Sequence, residues 1–166
     1  MCIRKVSVFL AEGGENVMEY QITTKTCALI GIGEEETMAV EKDSKTFIPQ
    51  KATDILKSNC EYYGSSLEGR LKGSQHQLGM KYKLPLIIEN SQEIIFFPTI
   101  SPKVVGCYWI ALNNIKEYRK NGFYSIITFN SGLELNIPVS YESLENQIFR
   151  ATKLLLITRK RQNKLK

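Results

Sequence analysis

The sequence between residues 86 and 137 alternates short apolar runs with turn-forming residues. The clearest case is the run at 123–129, which Asn130, Ser131 and Gly132 join to a second apolar run at 133–137. Asparagine, serine and glycine favour tight turns, so residues 123–137 are predicted to form a β-hairpin. Further strand-like runs occur at 86–88, 94–97 and 107–110. This pattern favours a fold built around an antiparallel sheet.

The first third of the chain has the same character. Short β-like runs at 6–10, 20–22 and 27–30 are separated by Gly13-Gly14 and by a glycine-rich and acidic stretch at 31–36. The glycines of that stretch resemble a phosphate-binding loop only superficially. No Gly-Lys-Ser/Thr follows them, and three consecutive glutamates after Gly33 would repel a phosphate. Residues 31–36 are therefore predicted to be a turn between antiparallel strands.

Two segments carry helical periodicity. Residues 50–63 lie between a proline and a glycine, and their apolar residues are spaced so that they share one face of a helix. The second helix is predicted at about 140–160, with Ser140 as its candidate N-cap. Residues 64–85 break the periodicity and are predicted to be a loop or a short strand. We therefore expect one α+β domain over residues 1–166, mostly antiparallel sheet with two main helices, followed by a basic tail at about 157–166.

Composition excludes several classes of protein. No apolar run approaches the length of a membrane span, so we expect a cytoplasmic protein with no membrane partner. Four cysteines without a C-x-x-C pair and a single histidine, His76, argue against a metal site, and we expect no cofactor. Cys27, Cys60 and Cys107 are interpreted as small core residues. No nucleophile with a neighbouring base is apparent, so we predict that the protein is not an enzyme.

The charge is distributed unevenly along the chain. Residues 1–50 carry 5 Lys/Arg and 8 Asp/Glu, whereas residues 51–166 carry 17 and 9. Such a basic region is compatible with a polyanionic partner, and equally with a solvated surface. In the segment 64–83, serines and backbone amides suit phosphate oxygens and four cations supply charge: Ser65, Ser66, Arg70, Lys72, Lys81 and Lys83. A glycine-rich connector whose lysines only face water is the alternative.

Several short motifs resemble, in order, those of the competence transcription factor (ComK) family. The first is the stretch from Cys60 to Arg70, in which a cysteine and two aromatic residues precede Gly-Ser-Ser and then Gly-Arg. The others are Phe96-Phe97-Pro98-Thr99, Trp109-Ile110, Thr128-Phe129-Asn130-Ser131-Gly132 and the run from Pro138 to Gln147. Together they cover roughly residues 45–155, so the sequence is interpreted as similar to that family.

The resemblance implies a DNA-binding transcriptional activator of competence and DNA-uptake genes. It implies homodimers that pair into tetramers on AT-rich double-stranded DNA, contacted mainly through the minor groove of nucleoid DNA in the cytoplasm. Arg70 falls on the family's Gly-Arg motif and is the first candidate contact, and Lys83 is the second. Asn146, Gln147 and Arg150 lie on the second helix. Hydrogen bonds from Asn146 and Gln147 to DNA, across a dimer, or within the protein remain open alternatives.

The sequence also departs from the family pattern. Leu84 replaces a proline, Lys81 stands where serine is usual, and the first 40 residues match poorly. Family members continue beyond this helix, whereas the sequence stops at Lys166, so we expect the C-terminal segment associated in the family with activation and with a proteolytic adaptor to be missing. The alternative function is a protein-interaction or adaptor protein that keeps the fold without sequence-specific DNA binding. The DNA hypothesis predicts that Arg70, Lys72, Lys81 and Lys83 gather on one exposed face.

Overall fold

A computed structural model describes residues 2–5 and 20–166. The strand expected at 6–10 and the turn at Gly13-Gly14 lie outside the described residues. Within them, the chain forms these elements in order: β1 (Cys2–Lys5), β2 (Thr26–Gly31), β3 (Thr37–Glu41), β4 (Ser44–Ile48), α1 (Ala52–Tyr62), α2 (Leu67–Leu78), β5 (Leu86–Glu89), β6 (Ile94–Pro98), β7 (Tyr108–Ala111), a 3-10 turn (Leu112–Asn114), β8 (Ile115–Asn121), β9 (Tyr124–Phe129), β10 (Glu134–Ile137) and α3 (Tyr141–Lys164). The predicted α+β class with mostly antiparallel sheet is confirmed.

Two sheets organise these strands. The larger has the order β1-β4-β3-β2-β7-β6-β5, and the smaller has the order β10-β9-β8. β1 runs parallel to β4, whereas every other pairing is antiparallel. The predicted hairpin at 123–137 is β9 and β10, with its turn at residues 130–133. The acidic stretch is also confirmed as the turn between β2 and β3.

The large sheet is covered on both faces, and neighbouring side chains of one strand enter different cores. Phe96 packs with Ile55 and Leu56 of α1, whereas Phe97 packs with α3 and the small sheet. Both phenylalanines are fully buried, and burial of each side chain stabilises the fold by about 1.5–3 kcal/mol. This alternation explains why the strands read as continuous apolar runs, since both faces are inside.

Helices α1 and α3 form where the periodicity predicts them. The Ser140 side chain accepts a hydrogen bond from the amide of Ser143 at 3.2 Å, which caps α3 as expected. The buried stripe of α3 consists of Leu144, Gln147, Ile148, Ala151, Leu154 and Leu155. The helix continues to Lys164, so the predicted tail at 157–166 is mostly its exposed last turns rather than an irregular arm.

Helix α2 corrects the prediction for residues 64–85. A loop or short strand was expected there, but Leu67–Leu78 is helical. Ser66 caps its start, with Oγ 3.0 Å from the amide of Gly69, and Gly79 ends it at φ 67°. Two glycines inside the helix weaken its intrinsic propensity, which hid it from sequence patterns. Leu78 belongs to the core on one face of the large sheet, whereas Leu71 packs against the core on the opposite face. Helix α2 therefore passes around the edge of the sheet that β5 forms.

The run at 20–22 is not a strand, which corrects a second expectation. Buried Asn59 of α1 holds it instead through its side-chain amide. Its Oδ1 accepts from the amide of Ile22, and its Nδ2 donates to the carbonyls of Tyr20 and Ile55, each at 2.8 Å. Tyr20 and Ile22 are both buried, so this segment closes the core beside α1.

Candidate nucleic-acid interface

The C-terminal end of α2 and the residues that follow form an open basic groove. It holds about 620 Å³ and is lined by Lys72, Gln75, His76, Gly79, Met80 and Lys81. Both lysines are exposed. They are nine positions apart in sequence, and the turn at Gly79 returns the chain toward the preceding helical turns. The structure therefore brings two predicted contacts, Lys72 and Lys81, to one surface, which we call the lysine groove.

Helix α3 fixes the loop beyond the groove. The side-chain amide of Gln147 donates to the carbonyl of Lys83 at 3.0 Å and to that of Pro98 at 2.7 Å. Arg150 Nη1 lies 3.0 Å from Gln147 Oε1 and 3.4 Å from the carbonyl of Tyr82. Lys83 has φ 49°, the left-handed region that side chains rarely adopt, so the loop depends on these bonds.

The sequence left open whether Gln147 bonds to DNA, across a dimer or within the protein, and in the structure its side chain bonds within the protein. Its side chain is 2% exposed, and both ends of the amide are hydrogen-bonded within the protein. Its neighbour Asn146 is exposed on the outer face of α3. Arg150 is partly exposed, because its guanidinium lies at the rim where α3 meets the loop. Gln147 thus positions Lys83 and Arg150 rather than facing solvent.

Arg70 lies elsewhere, near the N-terminal end of α2. It is partly buried, and its Nε is enclosed without a hydrogen-bond partner among the described residues. Ser66 nearby is committed to the helix cap, and the amide of Ser65 donates to the carbonyl of Cys60 at 2.9 Å. Arg70 and Lys72 are two positions apart, so they differ by only about 3 Å along the axis of α2 but by about 200° around it. The predicted set therefore divides between two sides of α2, an Arg70 side and a lysine-groove side.

The cations on both sides of α2 are not neutralised inside the protein. In the part of the chain that the structure describes, none of Arg70, Lys72, Lys81, Lys83 and Arg150 pairs with a carboxylate. Some cations elsewhere do so, as Lys51 does with Glu35 at 3.1 Å, whereas others, such as exposed Lys57 and Lys103, are also unpaired. The positive charge around α2 and the start of α3 is therefore free to meet a polyanion.

Other chemistry finds little support among the residues described. A second cleft, of about 500 Å³, lies between the acidic turn, the start of α1 and the exposed valines 104 and 105. Burial raises the pKa of the Cys27 and Cys60 thiols to about 11, which disfavours the thiolate that a nucleophile requires. No helix in residues 20–166 is long and apolar enough to cross a membrane.

Sequence reasoning missed Gln75 and His76 as groove residues because it missed the helix that carries them. On a helix, residues 72, 75, 76 and 79 share one face. The available signal was the pair formed by the Ser66 cap and Gly79, with Leu67, Leu71 and Leu78 at helical spacing between them. Tyr82, which is 81% exposed beside Lys81, was missed as well.

Fold and surface together define an α+β protein with unpaired cations on α2, on the loop that follows it and on α3. The family model described as ComK protein matches residues 17–163, and the chain belongs to this family. The competence transcription factor of Bacillus subtilis (strain 168) is 31% identical over 135 residues, which is 81% of this chain and 66% of that relative. The match thus spans just under two thirds of the relative's length. No solved structure matches the chain.

Proposed function

We propose that this protein is a DNA-binding transcriptional activator of competence and DNA-uptake genes that binds AT-rich duplex DNA mainly through the minor groove. The observation that carries the proposal is the set of unpaired cations around α2, the following loop and α3. Lysine and arginine bind phosphates and release condensed counterions, which supplies affinity independent of sequence. The printed name of the Bacillus subtilis relative, competence transcription factor, supports the same function.

The division between two sides of α2 suggests separate roles for these contacts in DNA binding. Lys72 and Lys81 are exposed and suit phosphate oxygens along one strand. Arg70, which is partly exposed and falls on the family's Gly-Arg motif, is the candidate for reading the narrow, strongly negative minor groove of A-tracts.

The remaining parts of the proposal rest on the family resemblance. They are one domain over residues 1–166, homodimers or tetramers on DNA, a cytoplasmic and nucleoid location, and the absence of enzyme activity. A proteolytic adaptor is the further partner that the family implies. The alternative function, protein interaction without sequence-specific DNA binding, is favoured by one observation. Phe149 and Leu156, two helical turns apart on the outer face of α3, are 61% and 53% exposed.

The decisive experiment is a salt titration of binding by fluorescence anisotropy. Wild type is compared on an AT-rich duplex with two spaced A/T boxes and on a GC-rich duplex of equal length. The Lys72→Gln/Lys81→Gln double variant should flatten the slope of log affinity against log salt by roughly 2, at about 0.9 for each phosphate contact. Arg70→Ala should reduce the preference for the AT-rich duplex. Lys51→Gln, which removes a cation paired with Glu35, is the control and should leave the salt slope and the preference for the AT-rich duplex unchanged.

Two outcomes would contradict the proposal. Equal losses for the control and the double variant would assign the affinity to overall charge rather than to the lysine groove. No duplex binding by wild type at moderate salt would favour the protein-interaction alternative.

A further inference from the structure

The tip of the β8–β9 hairpin presents the most exposed large apolar side chain among the described residues. Phe123 is 92% exposed, and the adjacent Tyr124 is 50% exposed. Asn121 pairs directly with Tyr124, so Gly122 and Phe123 form a two-residue turn. Gly122 has φ 62°, which fits the glycine-first turn that closes tight hairpins. The turn thus holds an aromatic ring in solvent, and burial of that ring against a binding partner would be favourable.

The hairpin is a firmly anchored support for this ring. Six residue pairs join β8 to β9, and Ser125 Oγ donates to the carbonyl of Val139 at 2.9 Å. Tyr118 of β8 stacks on Tyr141 in the first turn of α3, with ring centroids 5.5 Å apart. At about 3.3 Å per strand residue, β8 extends roughly 10 Å from that stack to Asn121, and Phe123 lies in the turn beyond it. The ring is therefore held at a defined place relative to α3.

The chemistry around the tip suits duplex DNA better than an apolar protein groove. Exposed Lys120 and Asn121 directly precede the turn, and exposed Lys116 and Glu117 lie further back on the same strand. Lys120 reaches a carboxylate, that of Glu142, only at 4.0 Å, the limit of an ion pair. Cations beside an exposed aromatic ring combine phosphate contact with stacking on bases. Proteins that deform DNA insert apolar side chains between base pairs in this way.

The tip and the lysine groove are tied to the same end of α3. Tyr141 contacts the hairpin, whereas Gln147 and Arg150 hold the loop that carries Lys83. Tyr141 and Gln147 are about 9 Å apart along the helix axis. α3 thereby fixes the hairpin relative to the groove, so a duplex bound along the groove has a rigid aromatic side chain placed at one defined position.

We propose that Phe123 inserts between adjacent base pairs of the bound duplex, unstacking that step and bending the DNA. This inference rests on the proposed DNA binding, and it adds a residue outside the segment 64–83. An aromatic side chain that stacks on bases contributes about 1–3 kcal/mol. Its loss should therefore weaken binding by roughly tenfold, since 1.4 kcal/mol corresponds to a factor of ten.

The test uses AT-rich duplexes in which 2-aminopurine replaces adenine at successive positions, and whose ends carry a fluorophore pair that reports bending. Wild type should raise 2-aminopurine fluorescence at one step and shorten the end-to-end distance. Phe123→Ala should bind about tenfold more weakly and abolish both signals at saturating protein. Phe123→Trp should retain them. Val105→Ala, which trims another exposed apolar side chain, is the control and should behave as wild type.

The outcomes separate this inference from the proposed function. Saturable duplex binding by wild type without unstacking or bending, or with signals unchanged in Phe123→Ala, would overturn the inference alone. No duplex binding at all would overturn both proposals. Partition of wild type but not Phe123→Ala onto anionic phospholipid vesicles, without unstacking of DNA, would also overturn the inference and assign the tip to a membrane surface. Urea unfolding of each variant checks that the fold is intact.

Discussion

The side-chain amide of Gln147 donates to the backbone carbonyl of Lys83 at 3.0 Å across 64 positions of sequence. The same nitrogen donates to Pro98 at 2.7 Å, so one buried amide joins α3, the end of β6 and the loop that carries a candidate DNA contact. The geometry of that loop therefore depends on a residue that is itself hidden from solvent.

Gln147→Leu should lower the free energy of unfolding by about 2–4 kcal/mol. The substitution leaves the carbonyls of Lys83 and Pro98 without their donor in a buried environment, and each such loss costs about 1–3 kcal/mol. Urea unfolding followed by circular dichroism measures the change. Asn146→Leu, at the exposed neighbouring position, should shift stability by less than about 0.5 kcal/mol. Equal effects of the two variants would contradict the internal role of Gln147.

Lys83→Gly should separate stability from DNA binding. Glycine adopts positive φ without strain, so the free energy of unfolding should change by less than about 1 kcal/mol. Lys83→Val should lower it by about 1–2 kcal/mol, because a β-branched residue is strained at φ 49°. Both variants remove the same charge and should weaken duplex binding. Unfolding midpoints measure stability, and fluorescence anisotropy measures duplex binding. If Lys83→Gly is stable and binds the duplex as tightly as wild type, Lys83 is not a DNA contact.

The three described cysteines should resist alkylation in the native protein. Burial raises the pKa of Cys27 and Cys60 to about 11 from an ordinary 9.0, and raises that of Cys107 as well. At pH 8 a shift of this size lowers the thiolate fraction roughly hundredfold, and limited access slows the reaction further. Peptide mass spectrometry after iodoacetamide treatment, native against urea-unfolded, measures each rate. Modification of native Cys60 at the unfolded rate would show that α1 opens freely.

The ion pair between Arg159 and Glu93 should make stability depend on pH at the end of α3. Arg159 holds the pKa of Glu93 below its ordinary 4.5. A carboxylate whose pKa is lower in the folded state than in the unfolded state stabilises the folded state fully at pH values above the unfolded-state pKa. That contribution disappears as pH falls through the folded-state pKa. The difference in melting temperature between wild type and Arg159→Gln should therefore be present at pH 7 and vanish near pH 3.

Lys160→Gln is the matched control for that series. It removes one cation from the neighbouring exposed position, and Lys160 has no ion pair within residues 20–166. A similar pH-dependent difference for Lys160→Gln would mean that general charge, not the pair with Glu93, stabilises this region.

Local pattern was sufficient for α1, α3 and the β9–β10 hairpin. Each combines a periodic apolar face with an explicit end signal, such as Ser140 or the turn at Asn130 to Gly132. It failed for α2, where Gly69 and Gly73 lower helix propensity and the stabilising contacts come from distant strands. The parallel pairing of β1 with β4 is also beyond local pattern, since it depends on packing between remote segments.

The candidate site was predictable in residue type but not in arrangement. Positive charge in a segment with glycines and serines marked residues 64–83. That Lys72 and Lys81 share a groove, and that Arg70 lies on another side of α2, follows only from the missed helix. The role of Gln147 depends on the Pro98 carbonyl, whose position the sequence pattern does not define.

The path of α2 around the β5 edge limits how copies of this protein can associate. A free edge strand offers a row of amides and carbonyls on which a strand from another molecule can add, which is a common route to aggregation. Here a helix that contacts the cores on both faces lies along that side of the large sheet. Strand-by-strand addition at β5 is therefore obstructed, so copies of the protein that meet on this side of the sheet have to associate through side chains rather than through a continued sheet.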